Sequence, residues 1–435
     1  MTDVEKNIQY VRGEILHFVD DPSKVNPDDS YEYFADGLMV IENGKVKSLG
    51  EAKDFLPLVD AEIVHYENGL IVPGFIDTHV HYPQTEMIAS FGEQLLGWLE
   101  TYAFPTEKKF ADYSYALEQA DFFLDQLLRN GTTTALVFGT VHPESVEAFF
   151  EKAQGLKLRM ICGKVLMDRN APADLLDTAE RGYEESRALI KKWHGVDRLQ
   201  YAVTPRFAPT STDEQLHLAG KLLTLAPDLY MHTHLAENKD ELIWVKELFP
   251  DNENYLDIYY QHGLLSRRSV FAHCIHLCEE ELAMMSEQEC SAAFCPTSNL
   301  FIGSGLFNLK QAEDSNIKVG LGTDVGGGTS FSMLQTINEA YKIQQLQNEV
   351  LPPLKSFYLA TLGGARALDV EDKVGSFKLG NEADFIVLDY AATALIEKRI
   401  SHCNDIVEKL FVLSILGDDR CIRATHILGE CVHSK

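Results

Sequence analysis

Apolar positions along this chain fall into two textures. From about residue 9 to 68, short apolar runs alternate with turn signals. Gly37-Leu38-Met39-Val40-Ile41 is followed at once by Asn43-Gly44, a dipeptide that tolerates the left-handed conformations of a tight hairpin. The same texture returns in Phe385-Ile386-Val387-Leu388 and from Ile422 to Leu428, ahead of Gly429. Two β-rich ends flanking a different centre predict that the termini pair into one small sheet domain.

In the centre, short apolar β-type runs alternate with longer helical stretches, the pattern of a parallel sheet built from βα units. Eight such runs occur: Ile76 to His81, Thr132 to Val137, Met160 to Val165, Leu199 to Val203, Leu229 to His234, Val270 to His273, Ala292 to Cys295 and Val319 to Asp324. The spacing predicts a helix over about Tyr113 to Arg129, stopped by Asn130-Gly131 just before the second run. Polar residues accumulate where each run ends. The expected fold is therefore α/β, a (β/α)8 barrel with its chemistry at the carboxyl ends of the strands. The division places the first part of the sheet unit at residues 1–68, the barrel at 69–370 and the second part of the sheet at 371–435.

Composition narrows the function classes. With 435 residues, 45% of them hydrophobic and 24% charged, the chain has ample material for a large core. A formal charge of −28 argues against nucleic acid or any phosphate-rich partner, because an acidic surface repels a polyanion. An uncharged nucleobase remains an acceptable ligand. The first residues lack a basic segment followed by an apolar run, and no stretch approaches the ~18 continuous apolar residues of a membrane span. The expectation is a cytoplasmic protein without membrane contact. Eight cysteines are too sparse for a disulfide framework in so long a chain, and they are expected to be reduced and mostly buried.

The first barrel run ends His79-Val80-His81. Side chains two apart on a strand share a face, so both imidazoles can reach one metal, and two imidazoles left unpartnered in a barrel mouth would be costly. The fifth run ends His232-Thr233-His234, the sixth ends at His273, and the eighth ends Gly322-Thr323-Asp324. Three nitrogen ligands and one carboxylate suit zinc or ferrous iron better than magnesium or calcium. His232 and His234 share a parity, so spacing alone does not select between them. His276 is expected to cap or pack near the helix that follows.

Pro73-Gly74-Phe75-Ile76-Asp77-Thr78-His79-Val80-His81, His234-Leu235-Ala236-Glu237 and Gly322-Thr323-Asp324 together resemble the amidohydrolase superfamily. Within it, His81-Tyr82-Pro83-Gln84, Pro205-Arg206-Phe207-Ala208-Pro209-Thr210 and Phe294-Cys295-Pro296-Thr297-Ser298-Asn299 are similar to the guanine deaminase branch, over nearly the whole chain. The resemblance implies a distorted barrel with a β-sandwich from both termini, a homodimer, and hydrolysis of guanine to xanthine and ammonia. It implies metal ligation by His79, His81, His234 and Asp324, with Asp324 also the general base toward a metal-activated hydroxide. It casts Glu237 as the proton shuttle and His273 as the residue over the metal that meets water or substrate. Gln84, Arg206 and Phe207 would hold guanine, and His232 would pack or lie behind the ligands.

Arg206 offers donors only, in a fork that suits the O6 and N7 acceptors of guanine. Phe207 could cover a ring face, and Trp98, in the loop after the first strand, could form a second wall. The plainer alternatives are an ion pair with a nearby carboxylate for Arg206 and a place in the core for Phe207. Many superfamily members carry two metals bridged by a modified lysine on strand four. Here that strand ends Tyr201-Ala202-Val203-Thr204-Pro205 with no lysine, so one divalent metal per chain is expected, zinc ahead of iron, with Lys164 on strand three a weak counter-candidate. Two other readings stay open: a related hydrolase of a triazine, cytosine or methylated purine, and a non-catalytic scaffold. The filled metal positions argue against the scaffold.

Overall fold

The computed structural model describes residues 7–92 and 94–435. Its first four strands are β1 (Ile8–Phe18), β2 (Tyr31–Glu42), β3 (Lys45–Glu51) and β4 (Val64–Pro73). The turn between β2 and β3 has Asn43 at φ 52° and Gly44 at φ 77°, the backbone that this dipeptide favours. The barrel strands follow: β5 (Phe75–His81), β6 (Thr132–Phe138), β7 (Arg159–Gly163), β8 (Val165–Leu166), β9 (Gln200–Pro205), β10 (Tyr230–Leu235), β11 (Ser269–His273), β12 (Ser291–Phe294) and β13 (Lys318–Leu321). The chain then returns through β14 (Phe385–Asp389), β15 (Ile422–Ile427) and β16 (Glu430–Ser434).

Strands from both ends form one seven-stranded sheet in the order β16-β15-β14-β4-β1-β2-β3. The ends meet where β4 runs antiparallel to β14, with Val72 opposite Ile386. The expected boundary at residue 68 falls inside β4, which continues almost directly into β5. The last segment also supplies the helix Ile406–Leu416, which packs on the helices Met333–Leu346 and Pro353–Ala360.

All eight expected barrel runs are strands, ordered β5-β6-β7-β9-β10-β11-β12-β13, with β8 pairing on β9. Every residue of β5, β6 and β7 is buried, as expected for parallel strands covered by helices on one side and barrel core on the other. The seam between the first and last strands is closed by polar contacts. Thr78 Oγ1 donates to Leu321 O at 3.0 Å, and Asp324 N donates to His79 O at 2.9 Å. Gly320 allows this approach, because a Cβ there would lie 2.3 Å from Thr78 Cγ2. The helix Tyr113–Arg129 has its expected bounds, and Gly131 after it takes φ 78°.

The two ends of the barrel differ. At the amino ends of its strands, Arg159 and Arg198 meet Glu382 at 2.6 and 2.7 Å, and Arg198 also pairs with Asp384, which ties the sheet to that face. The carboxyl ends face the other way and carry the polar residues.

Candidate active site

The three histidines His79, His81 and His234 converge. Nε2 of His81 lies 3.2 Å from Nε2 of His79 and 3.2 Å from Nε2 of His234. Asp324 Oδ1 completes the cluster at 3.1 Å from His79 Nε2 and 3.4 Å from His81 Nε2. Burial holds the imidazoles of His79, His81 and His234 well below the usual histidine range, and neighbouring imidazoles lower them further, so all three are neutral.

Three neutral imidazoles cannot satisfy one another's lone pairs, yet the donor set suits a metal. Zinc about 2.0–2.1 Å from each ligand in a tetrahedron places ligand atoms about 3.3 Å apart. The far sides of the rings support the same reading. His234 Nδ1 donates to the Arg206 carbonyl at 2.7 Å, which leaves its Nε2 lone pair free, and His79 Nδ1 is held by His232 Nε2 at 2.8 Å, so that its Nε2 faces the cluster.

Backbone geometry aims the remaining groups. Asp324 at φ 49° and His273 at φ 73° lie in the left-handed region just at or beyond their strand ends, where the chain turns into loops. Such conformations cost free energy in non-glycine residues and collect at functional sites. Asp324 N bonds to His79 O, and Asp77 clamps the same loop, accepting from Thr323 N at 3.0 Å and His79 N at 3.2 Å.

Glu237 lies in the loop after β10, buried with its Oε2 3.3 Å from His273 Nε2 and its Oε1 accepting from Ser304 Oγ at 2.8 Å. Burial, reinforced by the nearby Asp324 charge, pushes its carboxyl up to about 8, so it holds a proton at neutral pH. His273 Nδ1 bonds to Asn299 Oδ1 at 2.9 Å, which turns Nε2 toward Glu237 and toward Asp324 Oδ2 at 3.8 Å. Glu241 accepts from the backbone N–H groups of Glu237 and Asn238 at 2.8 and 3.1 Å and so fixes the loop that carries Glu237.

A small pocket opens over these groups. Its lining includes His81, His234, Glu237, His273 and Asp324 together with Gln84, Trp98, Arg206 and Phe207. Phe207 and Trp98 also belong to one apolar cluster with Leu95, Leu99 and Ile302, so Phe207 is both core aromatic and pocket wall. Arg206 likewise meets both expectations. It faces the pocket, and it forms a two-pronged ion pair with buried Glu107, Nη1 to Oε2 at 2.6 Å and Nη2 to Oε1 at 3.0 Å.

All ten residues singled out from the sequence therefore gather at one barrel mouth: His79, His81, His234, Asp324, Glu237, His273, Gln84, Arg206, Phe207 and Trp98. Of the residues left open, His232 lies behind His79 and outside the converging set. His276 does not cap the following helix, whose N-cap is Cys278; its Nε2 bonds to Ser304 O at 3.0 Å, behind Glu237. Lys164 points away from the mouth into an ion pair with Asp177, with Glu185 at 3.4 Å. Glu107, Glu241, Ser304 and Asn299 were not singled out. Glu241 had a sequence signal, since Asn238-Lys239-Asp240-Glu241 has the form of a helix capping box, which the structure contains.

The amidohydrolase family model matches residues 70–432. Guanine deaminase of Escherichia coli (strain K12) is 52% identical over 441 residues, covering 100% of both chains. The chain belongs to the guanine deaminase branch of the amidohydrolase family. The solved structure of the E. coli guanine deaminase superposes with a TM-score of 0.96, covering 98% of this chain and 100% of that one. A guanine deaminase from C. acetobutylicum, solved with guanine bound in its active site, is 27% identical with a TM-score of 0.89, covering 98% and 100%. Membership at this identity favours the deaminase reading over the triazine, cytosine and scaffold alternatives. Among the described residues no helix is long and apolar enough to cross a membrane.

Proposed function

We propose that this chain carries out guanine deamination with the residues gathered at the barrel mouth, guanine and water giving xanthine and ammonia. The observation that carries the proposal is the juxtaposition of His79, His81, His234 and Asp324 with a protonated, buried Glu237 at one pocket. A divalent metal held by His79, His81, His234 and Asp324 would supply the Lewis acidity that makes water a nucleophile near neutral pH. Zinc is the proposed ion because its ligand spacing suits the cluster; ferrous iron accepts the same donors.

Arg206 and Gln84 bind the polar edge of guanine, while Phe207 and Trp98 flank the ring. Asp324 takes a proton from the attacking water, and its second oxygen faces His273. Glu237 gives its proton to ring nitrogen N3 as oxygen adds to C2, so no full negative charge develops on the ring. The carbon is then tetrahedral, bearing oxygen and amine. Glu237, now ionised, relays the proton from Asp324 to the amine. As the C2–N bond breaks and ammonia leaves, the proton of the added hydroxyl passes by way of Asp324 to Glu237, which gives neutral xanthine and restores the acid. His273, oriented by Asn299, supports the water and Glu237 through Nε2.

The finer proposals rest on the family resemblance: a cytoplasmic homodimer serving purine breakdown. Segments 1–68 and 371–435 are proposed to act as a single platform under the barrel, supported by the Arg159 and Arg198 ion pairs at the face opposite the pocket. Equal molar yields of xanthine and ammonia from guanine, lost on chelation and restored by zinc, test the reaction. Ammonia without xanthine would refute it.

A further inference from the structure

We infer that Glu107 is a positioning residue that sets the order of donors and acceptors on the substrate-reading wall, and so makes the pocket select an oxo-purine edge over an amino-purine edge. This rests on the reading of Arg206 and Gln84 as partners of the guanine edge. Glu107 is 1% exposed and does not border the pocket, whereas Gln84 and Arg206 both do. Its carboxylate accepts from Arg206 through both oxygens and from Gln84 Nε2 at 2.8 Å.

Two consequences follow from that geometry. A carboxylate only accepts, so it draws the amide nitrogen of Gln84 toward itself, while the amide oxygen takes a hydrogen bond from Gly326 N at 3.3 Å. Reversing the amide would set oxygen against carboxylate and N–H against N–H, so one orientation is locked. The guanidinium plane is fixed by the paired contact, and its charge is balanced inside the protein. An unpaired buried guanidinium would demand an anionic ligand; a paired one accepts a neutral ring. The wall then presents arginine donors beside a carbonyl acceptor. Guanine offers the complement, an O6 acceptor next to an N1–H donor. Adenine carries an amine and a bare ring nitrogen at the same places and meets donor with donor.

Hypoxanthine and adenine test this directly, because neither has an amine at C2 and they differ only at this edge. Both are measured as competitive inhibitors of guanine turnover by the metal-loaded protein. Wild type should bind hypoxanthine more tightly than adenine. In Glu107→Gln, whose side chain both donates and accepts, the Gln84 amide is free to reverse, and the hypoxanthine preference should shrink by about tenfold or more, the scale of one charged hydrogen bond. KM for guanine should rise by roughly 10- to 100-fold while kcat changes far less. Glu107→Asp keeps an acceptor-only group but draws it back by one methylene. It should raise KM while retaining the hypoxanthine preference, which carries the test if Glu107→Gln does not fold. A folded Glu107→Gln protein with wild-type KM and preference, or Glu107→Asp with wild-type KM, overturns the role of Glu107. A wild type that deaminates guanine yet shows no preference for hypoxanthine overturns the edge reading itself.

Discussion

Glu237 Oε2 and His273 Nε2 face each other across 3.3 Å, with Asp324 Oδ2 3.8 Å from the same nitrogen. Burial next to Asp324 holds the Glu237 proton up to about 8. The residue is thereby kept as an acid at neutral pH, when a solvated glutamate would be ionised. The acid must be protonated when water adds, so kcat/KM for guanine should decline as pH rises through about 8. Glu237→Gln should remove that limb, retain metal and bind guanine, yet lose roughly 10²–10⁴ in turnover. Near-normal turnover with metal in place would remove Glu237 from proton transfer.

His232 and His234 are separated by one residue and by function. His234 Nε2 meets the ligand cluster, while His232 lies behind His79. His234→Ala should purify without stoichiometric metal and without activity. His232→Ala should keep its metal with affinity weakened by about 10- to 100-fold, the usual effect of losing a ligand's hydrogen-bond partner. Elemental analysis and metal titration distinguish the two; the reverse pattern would exchange their roles.

The metal count follows from where Lys164 points. Its ammonium is committed to Asp177 outside the mouth, and strand four brings no lysine to the cluster. Purified protein should hold one divalent ion per chain. Two ions per chain by elemental analysis would overturn the single-metal assignment.

Arg206 makes a combined prediction for binding and stability. Arg206→Ala deprives the guanine edge of its charged donor, so kcat/KM should fall by roughly 10- to 200-fold with metal retained. It also leaves Glu107 buried without its cation, which should destabilise the fold by about 3–5 kcal/mol, read as a lowered unfolding midpoint. Arg206→Lys should recover only part of both losses, because a point charge cannot match a planar two-pronged contact. Unchanged efficiency on guanine in Arg206→Ala would contradict the assigned edge.

The legible parts of the molecule were those written in local periodicity. The eight strands were readable because parallel strands buried on both faces demand continuous apolar runs, and His79 and His81 because residues two apart share a face. The same periodicity could not separate His232 from His234. Both project into the barrel, and depth along its axis, which no spacing records, decides which one meets the cluster. Glu107 was invisible for another reason. It stands in Glu107-Lys108-Lys109, which resembles a solvated turn, and its burial depends on Arg206, 99 residues away. Asp324 was found through its motif, although β13 ends at Leu321 and a left-handed residue in the loop aims its carboxylate. Lys164 had the right composition and the wrong direction, which only the packing of Asp177 against it discloses.

The most direct test of the account is the initial rate of ammonia release from a panel of aminated rings by the zinc-loaded protein at neutral pH. The account predicts rapid release from guanine with xanthine as co-product, and little from adenine, cytosine or an amino-triazine. Comparable or faster release from any of those three would contradict the guanine pocket formed by Gln84, Arg206 and Phe207.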